Sequence, residues 1–247
     1  MFIEINKLKK AKKILLEVYT KSINTSNDKE YIQAKYDHSI DCFNIASKVK
    51  PFNRTCAIAA LLHDIGRIYE YDEDKADLHA QIGYQYLKNH FITNPLILLP
   101  IKYHEDDLNW YQKLLKDDEY TSQNILTKRR ILEYSKVVRD ADIISNMKII
   151  AEKEYKSKNI TINKQLINCL KARKLGQKEL INGEYDEIVY ILCGLNIIYS
   201  KNSIKYLKKH KIVASLINKL YTLANDNKEM LKETELISNI IGERFNL

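Results

Sequence analysis

Polar side chains of the types that bind metal ions lie where the sequence predicts a helical core. They are four histidines and two aspartates: His38, His63, Asp64, His79, His104 and Asp140. Divalent Mn, Fe, Co, Ni and Zn all accept neutral imidazole and ionised carboxylate as ligands. Burying such a group without a partner costs several kcal/mol, and a shared metal would satisfy all of them at once. The pattern therefore predicts a metal site.

The adjacent pair His63 and Asp64 follows residues 55–62, which are apolar apart from Thr55. Neighbouring side chains on an ideal helix point about 100° apart, but both can reach one ion where the last turn opens. We expect Gly66 to adopt the left-handed conformation that often ends a helix. The helix end and the ligand pair are then one feature.

The elements that position these residues are predicted to be helices. Little interrupts a helix in this chain, because only six of 247 residues are Gly and no Pro follows Pro100. Ser26 is the expected N-cap of a helix over residues 27–48, on which His38 lies on the apolar stripe. The other predicted helices span residues 5–22, 55–62, 77–91, 95–104, 122–150, 162–175, 185–199, 203–224 and 228–241, and an acidic surface loop or lid is expected over residues 69–77. The sequence thus predicts an all-α protein.

The composition argues against several classes of protein. Every glycine stands alone, so the sequence has neither a dinucleotide-binding fingerprint nor a Walker A loop. The net charge of +8 comes from dispersed lysines without an aromatic-interleaved basic cluster, so we interpret it as a solvated surface rather than a nucleic-acid interface. The four cysteines form no C-x-x-C pair and are expected to be buried thiols. With no signal peptide and no long apolar stretch, we expect a cytoplasmic protein without a membrane partner.

The sequence resembles the HD-domain superfamily of metal-dependent phosphohydrolases over residues 37–147. The matching features are His38, the dyad within residues 61–67 (LLHDIGR), and Asp140 within residues 139–142 (RDAD). The resemblance implies an all-α HD-domain helical bundle over residues 1–160. Residues 161–247 are then a C-terminal helical extension packed on the bundle. This extension either covers the pocket or forms a homodimer.

The resemblance also implies a ligand set. Superfamily members with two further histidines between the dyad and the last aspartate hold two divalent transition-metal ions, and His79 and His104 resemble that pair. One ion is then held by His38, His63 and Asp140. The second ion is held by His79 and His104, with Asp64 between the two ions. The expected cofactor is two ions of Mn, Fe, Co, Ni or Zn.

The implied activity is hydrolysis of a phosphate ester or phosphoanhydride in a nucleotide-type small molecule, through attack of metal-activated hydroxide on phosphorus. Asp64 acts at the reacting centre, and the candidate phosphate clamps are Arg67, Lys102 and Arg139. Each of these cations can instead pair with a nearby carboxylate. Asp142 is either an acceptor that orients a ligand histidine or a helix-surface acid.

Some features depart from known branches of the superfamily. The lysine that often follows the dyad glycine is Arg67, and no Gly-Tyr-Pro segment follows His104, which disfavours cyclic-di-GMP as substrate. The Glu-Asp pair of the alarmone hydrolases is also missing after the dyad. Tyr103 and Trp110 either stack on a base or fill the core. The alternative functions are a mononuclear HD nucleotidase and a catalytically weak metal-binding regulatory protein.

Overall fold

The structure is a computed structural model that describes residues 2–69, 78–90, 92–105, 109–155, 161–225 and 227–245. Across these ranges the regular elements are helices, and none of the described residues forms a strand. The all-α prediction is confirmed. Of the predicted acidic loop, residues 70–77 lie outside the described ranges.

The chain separates into two compact units, Met1–Asp142 and Ile143–Leu247. The first unit holds eight described helices and the start of a ninth: α1 (Phe2–Thr25), α2 (Lys29–Val49), α3 (Arg54–Leu62), α4 (Ile65–Tyr69), α5 (His79–Asn89), α6 (Pro95–Lys102), α7 (Trp110–Leu115), α8 (Asp118–Thr121) and α9 (Ile125–Glu152). Helix α9 continues past Asp142, so the unit boundary falls inside a helix. The expected division into residues 1–160 and 161–247 stays a prediction.

Helix α3 lies at the centre of the first unit and packs against α1, α2 and α6. It is buried from Cys56 to Leu62, as its almost wholly apolar sequence predicts. Asn53 is its N-cap and accepts a hydrogen bond from the Cys56 amide at 3.1 Å. The core position of α3 matters for function, because His63 and Asp64 follow directly from its end.

The start of α2 differs from the prediction. Its N-cap is Asp28, whose side chain accepts a hydrogen bond from the Tyr31 amide at 2.9 Å. Ser26 accepts instead from the Asp28 amide at 3.0 Å, and so orders the turn that precedes the helix. Both residue types cap helices well, and the one nearer to the first helical residue takes the position here.

The predicted left-handed conformation of Gly66 is wrong, because no described glycine has a positive φ. Gly66 lies inside α4, where a Cβ atom would stand 2.0 Å from the His79 carbonyl oxygen and 2.8 Å from the Gly83 amide nitrogen. The residue is needed for close approach rather than for chain reversal. Its missing side chain lets α4 and α5 pack backbone to backbone.

The second unit contains the end of α9 and the remaining described α-helices: α10 (Lys164–Lys171), α11 (Glu184–Cys193), α12 (Lys201–Lys209), α13 (Ile212–Ala224) and α14 (Lys228–Phe245). Its core includes Leu192, Leu216 and Ile237, all fully buried. The single helix predicted over residues 203–224 is divided into α12 and α13, because Lys211 takes a left-handed conformation with φ 54°. Among the described residues, no helix is both long and apolar enough to span a membrane.

Candidate metal centre

The six side chains of the candidate centre come from five places along the first unit. Helix α2 supplies His38, the bend between α3 and α4 supplies His63 and Asp64, α5 begins with His79, His104 follows α6, and α9 supplies Asp142. The four histidines and Asp64 are at most 4% exposed. We call these six residues the metal cluster.

Asp64 is the centre of the metal cluster. Its Oδ1 atom lies 3.1 Å from His79 Nε2 and 3.4 Å from His104 Nε2. Its Oδ2 atom lies 3.9 Å from both His38 Nε2 and His63 Nε2. The two carboxylate oxygens therefore face two different histidine pairs.

Asp142, and not the predicted Asp140, is the late aspartate that the structure brings to the histidines. Its Oδ1 atom lies 3.1 Å from His38 Nε2 and 3.8 Å from His63 Nε2. Asp140 is also fully buried. Two residues apart on α9, the two side chains point roughly 200° apart, so only one can face this side of the helix. Asp142 replaces Asp140 in the candidate ligand set.

Three histidines have their outer ring nitrogen fixed by an acceptor beside the metal cluster. The Nδ1 contacts are His63 to the Ala60 carbonyl at 2.8 Å, His104 to the Ile101 carbonyl at 2.7 Å, and His79 to Glu105 Oε2 at 2.8 Å. With Nδ1–H donating outward, each Nε2 points inward and can bind a metal ion once it carries no proton. This is the usual arrangement around histidines that ligate metals.

The donor atoms of the metal cluster fit a divalent cation. His63 Nε2 is buried and has no hydrogen-bond partner among the described residues, although carboxylate oxygens of Asp64 and Asp142 lie 3.9 and 3.8 Å away. Two sets of donor atoms lie within 4.8 Å of one another: His38, Cys42, His63 and Asp142, and His63, Asp64 and His104. A shared cation would satisfy these atoms, which hydrogen bonds satisfy only in part.

Electrostatics keep the metal cluster negative at its centre. Burial works against ionisation of Asp64, but Lys35 and His63 hold its carboxyl pKa well below the usual range. Burial likewise works against charge on His79, yet hydrogen bonds to Asp64 and Glu105 raise its pKa to about 9. Burial and the neighbouring histidines lower the pKa of His104, which favours the neutral imidazole that a metal needs. The site therefore attracts cations, either protons or metal ions.

Comparison with known proteins agrees with this geometry. Residues 36–147 match the HD domain family. The chain carries an HD domain. HD domains are all-α and are generally metal-dependent hydrolases. No curated protein and no solved structure matched the sequence significantly.

Two cations border the metal cluster of this HD domain. Lys35 Nζ lies 2.9 Å from Asp64 Oδ2, and Arg67 Nε lies 3.4 Å from Asp64 Oδ1. Arg67 also reaches Glu105 Oε1 at 3.3 Å. Arg67 therefore lies beside the metal cluster, and its role as a phosphate clamp stays a prediction. Lys35 was not predicted, although its place three residues before His38 puts both on one face of α2.

The other two predicted clamps contact groups that hold the fold. Lys102 donates a hydrogen bond to Asp117 Oδ2 at 2.6 Å. This is the expected alternative, in which the cation pairs with a nearby carboxylate. Arg139 is 5% exposed, and its Nη1 atom donates to the His104 carbonyl at 2.6 Å. A buried guanidinium that donates to the backbone of His104 helps to position that side chain. Both cations are thus engaged with protein groups, and a phosphate-clamp role for Lys102 or Arg139 has no support in this geometry.

Aromatic residues near the HD domain's second histidine pair belong to the core. Tyr103 and Trp110 are 7% and 2% exposed and pack in one hydrophobic cluster with Leu99 and Leu114. The guanidinium of Arg139 lies 5.3 Å from the centre of the Trp110 ring. The structure therefore supports the second of their two expected roles, which is to fill the core.

Glu105 is a further site residue that the sequence pattern did not single out. It connects His79 Nδ1 with Arg67, and so links a candidate ligand to a candidate substrate contact. Its position directly after His104 was the available signal. In the sequence it reads as the first residue of an acidic turn, whose next members, Asp106 and Asp107, lie outside the described residues.

Proposed function

We propose that this protein is a metal-dependent phosphohydrolase that cleaves a phosphate ester or phosphoanhydride in a nucleotide-type small molecule. One observation carries the proposal. Two pairs of buried histidine Nε2 atoms face the two oxygens of one aspartate in an HD domain, and a second aspartate lies beside the first pair.

The proposed ligand set follows the two oxygens of Asp64. His38, His63 and Asp142 are assigned to the first ion, and His79 and His104 to the second. Asp64 lies between the two sets. Histidine nitrogen and carboxylate oxygen favour divalent Mn, Fe, Co, Ni or Zn. Such ions supply a hydroxide nucleophile near neutral pH, by lowering the pKa of water, and polarise a phosphoryl oxygen.

The protein's own groups hold the reactants and exclude water. Lys35 and Arg67 carry positive charge at the edge of the metal cluster, and we propose that both contact phosphate oxygens. The carboxylate of Glu105 holds the Arg67 guanidinium from one side, which limits the positions that it can take. The Nδ1 hydrogen bonds keep three imidazoles oriented before a substrate arrives, and burial strengthens every charge interaction in the site.

The proposed partner is a phosphorylated small molecule rather than a nucleic acid. The buried setting of the metal cluster suits a single phosphoryl group. The net charge of +8 attracts anions in general. Among the described residues, Lys35 and Arg67 are cations that contact Asp64.

A mononuclear enzyme is the second candidate, and one observation favours it. His79 Nε2 and His104 Nε2 lie 3.0 Å apart, with His79 Nε2 also 3.1 Å from Asp64 Oδ1. These three groups can share a proton, which would leave a single ion at the first set of ligands. The number of ions per chain distinguishes the two candidates.

The test combines metal analysis with turnover of an aryl phosphodiester and a panel of nucleotides. Activity should vanish with a chelator and return with Mn²⁺. His63→Ala and Asp64→Ala should each abolish turnover and reduce the metal content. The control is His90→Ala, because His90 is an exposed histidine at the end of α5 that stacks on Tyr86. Normal activity in either cluster variant would refute the proposal.

His79→Ala then separates the two candidates. A dinuclear centre should lose one ion per chain, because the second set of ligands has lost a member. If the variant keeps two ions per chain, the proposed assignment of the second ion is wrong. If the wild type itself holds one ion, the mononuclear candidate is supported.

A further inference from the structure

We propose that Glu105 is a positioning residue that sets the affinity of the second ion, because one of its oxygens holds His79 while Arg67 competes for the other. This inference rests on the proposed function, since it needs a second ion at His79, His104 and Asp64. The resemblance to the HD-domain superfamily assigns no role to Glu105. The argument comes from the contacts of its two carboxylate oxygens.

Glu105 contacts a candidate ligand and a candidate substrate contact with separate oxygens. Its Oε2 atom lies 2.8 Å from His79 Nδ1, and its Oε1 atom lies 3.3 Å from Arg67 Nη2. The Glu105 side chain is 29% exposed, so water screens these contacts less than it does at an open surface. Contacts on both sides restrict the carboxylate, and the carboxylate in turn restricts the imidazole of His79.

The acceptor at His79 differs in charge from the acceptors at two other histidines of the metal cluster. The Nδ1 atoms of His63 and His104 lie 2.8 and 2.7 Å from backbone carbonyl oxygens, which are neutral. His79 instead donates to a carboxylate. A carboxylate in this position raises the basicity of the ligating nitrogen, and loss of such a partner costs about 10–100-fold in metal affinity. The second ion should therefore depend on Glu105.

The inner nitrogen of His79 carries this effect to the second set of ligands. Its Nε2 atom lies 3.1 Å from Asp64 Oδ1 and 3.0 Å from His104 Nε2. Because Nδ1–H donates to Glu105, Nε2 is the atom that remains to bind an ion. A change at Glu105 therefore acts on the ion through this ring, without direct contact.

Arg67 opposes the second ion in two ways. Its Nε atom lies 3.4 Å from Asp64 Oδ1, the oxygen that faces His79 and His104, so its positive charge repels a cation there. Its Nη2 atom also attracts the Glu105 carboxylate, which leaves less negative charge to act on His79. A phosphate that binds the guanidinium would reduce both effects. Because coupling between two ligands is reciprocal, phosphate and the second ion should strengthen each other's binding.

The experiment is a Mn²⁺ titration of the metal-depleted protein, with free Mn²⁺ measured by electron paramagnetic resonance. His79→Ala identifies the binding step that belongs to the second ion. We expect Glu105→Gln to weaken this step by about 10–100-fold and to leave the first step within about threefold of the wild type. Glutamine keeps the size and an acceptor oxygen and removes the charge, so the fold should be retained.

The matched control is Glu119→Gln. The Glu119 side chain is 26% exposed, similar to Glu105, and its Oε2 atom accepts a hydrogen bond from the Tyr84 hydroxyl at 2.7 Å. Both binding steps should stay within about threefold of the wild type in this variant.

A double-mutant cycle tests whether Arg67 acts through Glu105. Arg67→Met should strengthen the second step at least about threefold, because a competing cation is lost. In the Glu105→Gln background the same change should gain at least about twofold less, the smallest coupling expected for residues in contact. A merely structural role of these side chains would instead weaken binding in both single variants. Equal gains in the two backgrounds would overturn the coupling.

The outcomes separate this inference from the proposed function. If the wild type binds two ions and Glu105→Gln keeps the second step within threefold, the inference is wrong and the phosphohydrolase proposal is unaffected. If the wild type binds one ion, this inference fails while the mononuclear candidate stands. If the wild type binds no divalent metal, the proposed function fails as well.

Discussion

Lys35 supplies the positive charge nearest to Asp64, at 2.9 Å from Oδ2, and its side chain is 23% exposed. Partial burial removes water from the ammonium group and works against its charge. The attraction of Asp64 outweighs this effect and raises the pKa of Lys35. The ammonium group therefore stays charged at the site over the whole physiological range. Such a group is suited to holding an anionic substrate beside the metal ligands.

Lys35→Met should lower kcat/KM by about 100-fold or more while the metal content is unchanged, because one preorganised phosphate contact is lost. Methionine keeps the length of the side chain and removes the charge. Steady-state kinetics and metal analysis of the same preparation provide the measurement. Unchanged kinetics would show that Lys35 only balances the charge of Asp64.

Lys102→Met is the matched control for that change. Lys102 is bonded to Asp117, which also accepts from Tyr103 and from the Glu119 amide. We expect kcat/KM within about threefold of the wild type and a loss of about 1 kcal/mol in unfolding free energy, typical of one hydrogen bond. A large loss of turnover with normal stability would restore Lys102 as a substrate contact.

Asp142→Asn should reduce the affinity for the first ion at least about tenfold, because an amide replaces a charged ligand. Asp140→Asn should leave the number of bound ions unchanged. Metal analysis after dialysis against a fixed free metal concentration distinguishes the two variants. The opposite result would return the ligand role to Asp140.

The sequence reveals most of the site because its polar residues interrupt apolar helices. His38, His63 and Asp64 stand out in this way, and the structure brings them together. The choice between Asp140 and Asp142 could not be made from spacing. Helix α9 is buried around much of its circumference here, with Val138, Asp140 and Ala141 all fully buried. No single polar face then fixes the rotation of the helix.

At the scale of the elements, the close packing of α4 against α5 positions His79, the first residue of α5. Gly66 makes this approach possible, since any Cβ atom would overlap the His79 carbonyl oxygen. The packing therefore connects the end of the dyad segment to the first ligand of the second pair. A Cβ atom at Gly66, 2.0 Å from this oxygen, would force the two backbones apart by roughly 1 Å, and that movement would shift His79 relative to Asp64.

Gly66→Ala should lower the unfolding free energy by about 1–3 kcal/mol, as overpacking of a tight contact does, and should weaken binding of the second ion. Gly242→Ala is the control, because a Cβ atom there meets nothing within 4 Å. That variant should be more stable by about 0.5–1 kcal/mol, the ordinary preference for Ala within a helix. Denaturant unfolding compares the two. Equal stabilities would contradict the close-approach role of Gly66.

Helices of at least 8 residues were predictable from the sequence pattern, whereas shorter helices and helix breaks were not. The predicted helix over residues 55–62 corresponds to α3, and the predicted helix over residues 122–150 corresponds to α9. Helices α7 and α8 contain six and four residues, too few for an apolar period to appear. The break at Lys211 has no Gly or Pro to announce it. Tertiary packing, not local preference, decides such positions.

At the scale of the whole molecule, bound metal should stabilise the folded chain. An ion present at a hundredfold excess over its Kd adds about 2.7 kcal/mol, or roughly 5–10 °C in Tm for a chain of this size. Scanning calorimetry with Zn²⁺ and with a chelator measures the difference. His63→Ala should show a much smaller shift, and an equal shift in that variant would place the stabilising metal elsewhere.

The candidate ligands are far apart along the chain, since the first set joins His38 on α2 to Asp142 on α9. An ion held there acts as a reversible cross-link that closes a loop of most of the HD domain, and long loops gain most from such closure. Removal of the metal would then make the chain more susceptible to proteolysis, in addition to abolishing its proposed activity. Cellular abundance of this protein should follow the supply of its ion.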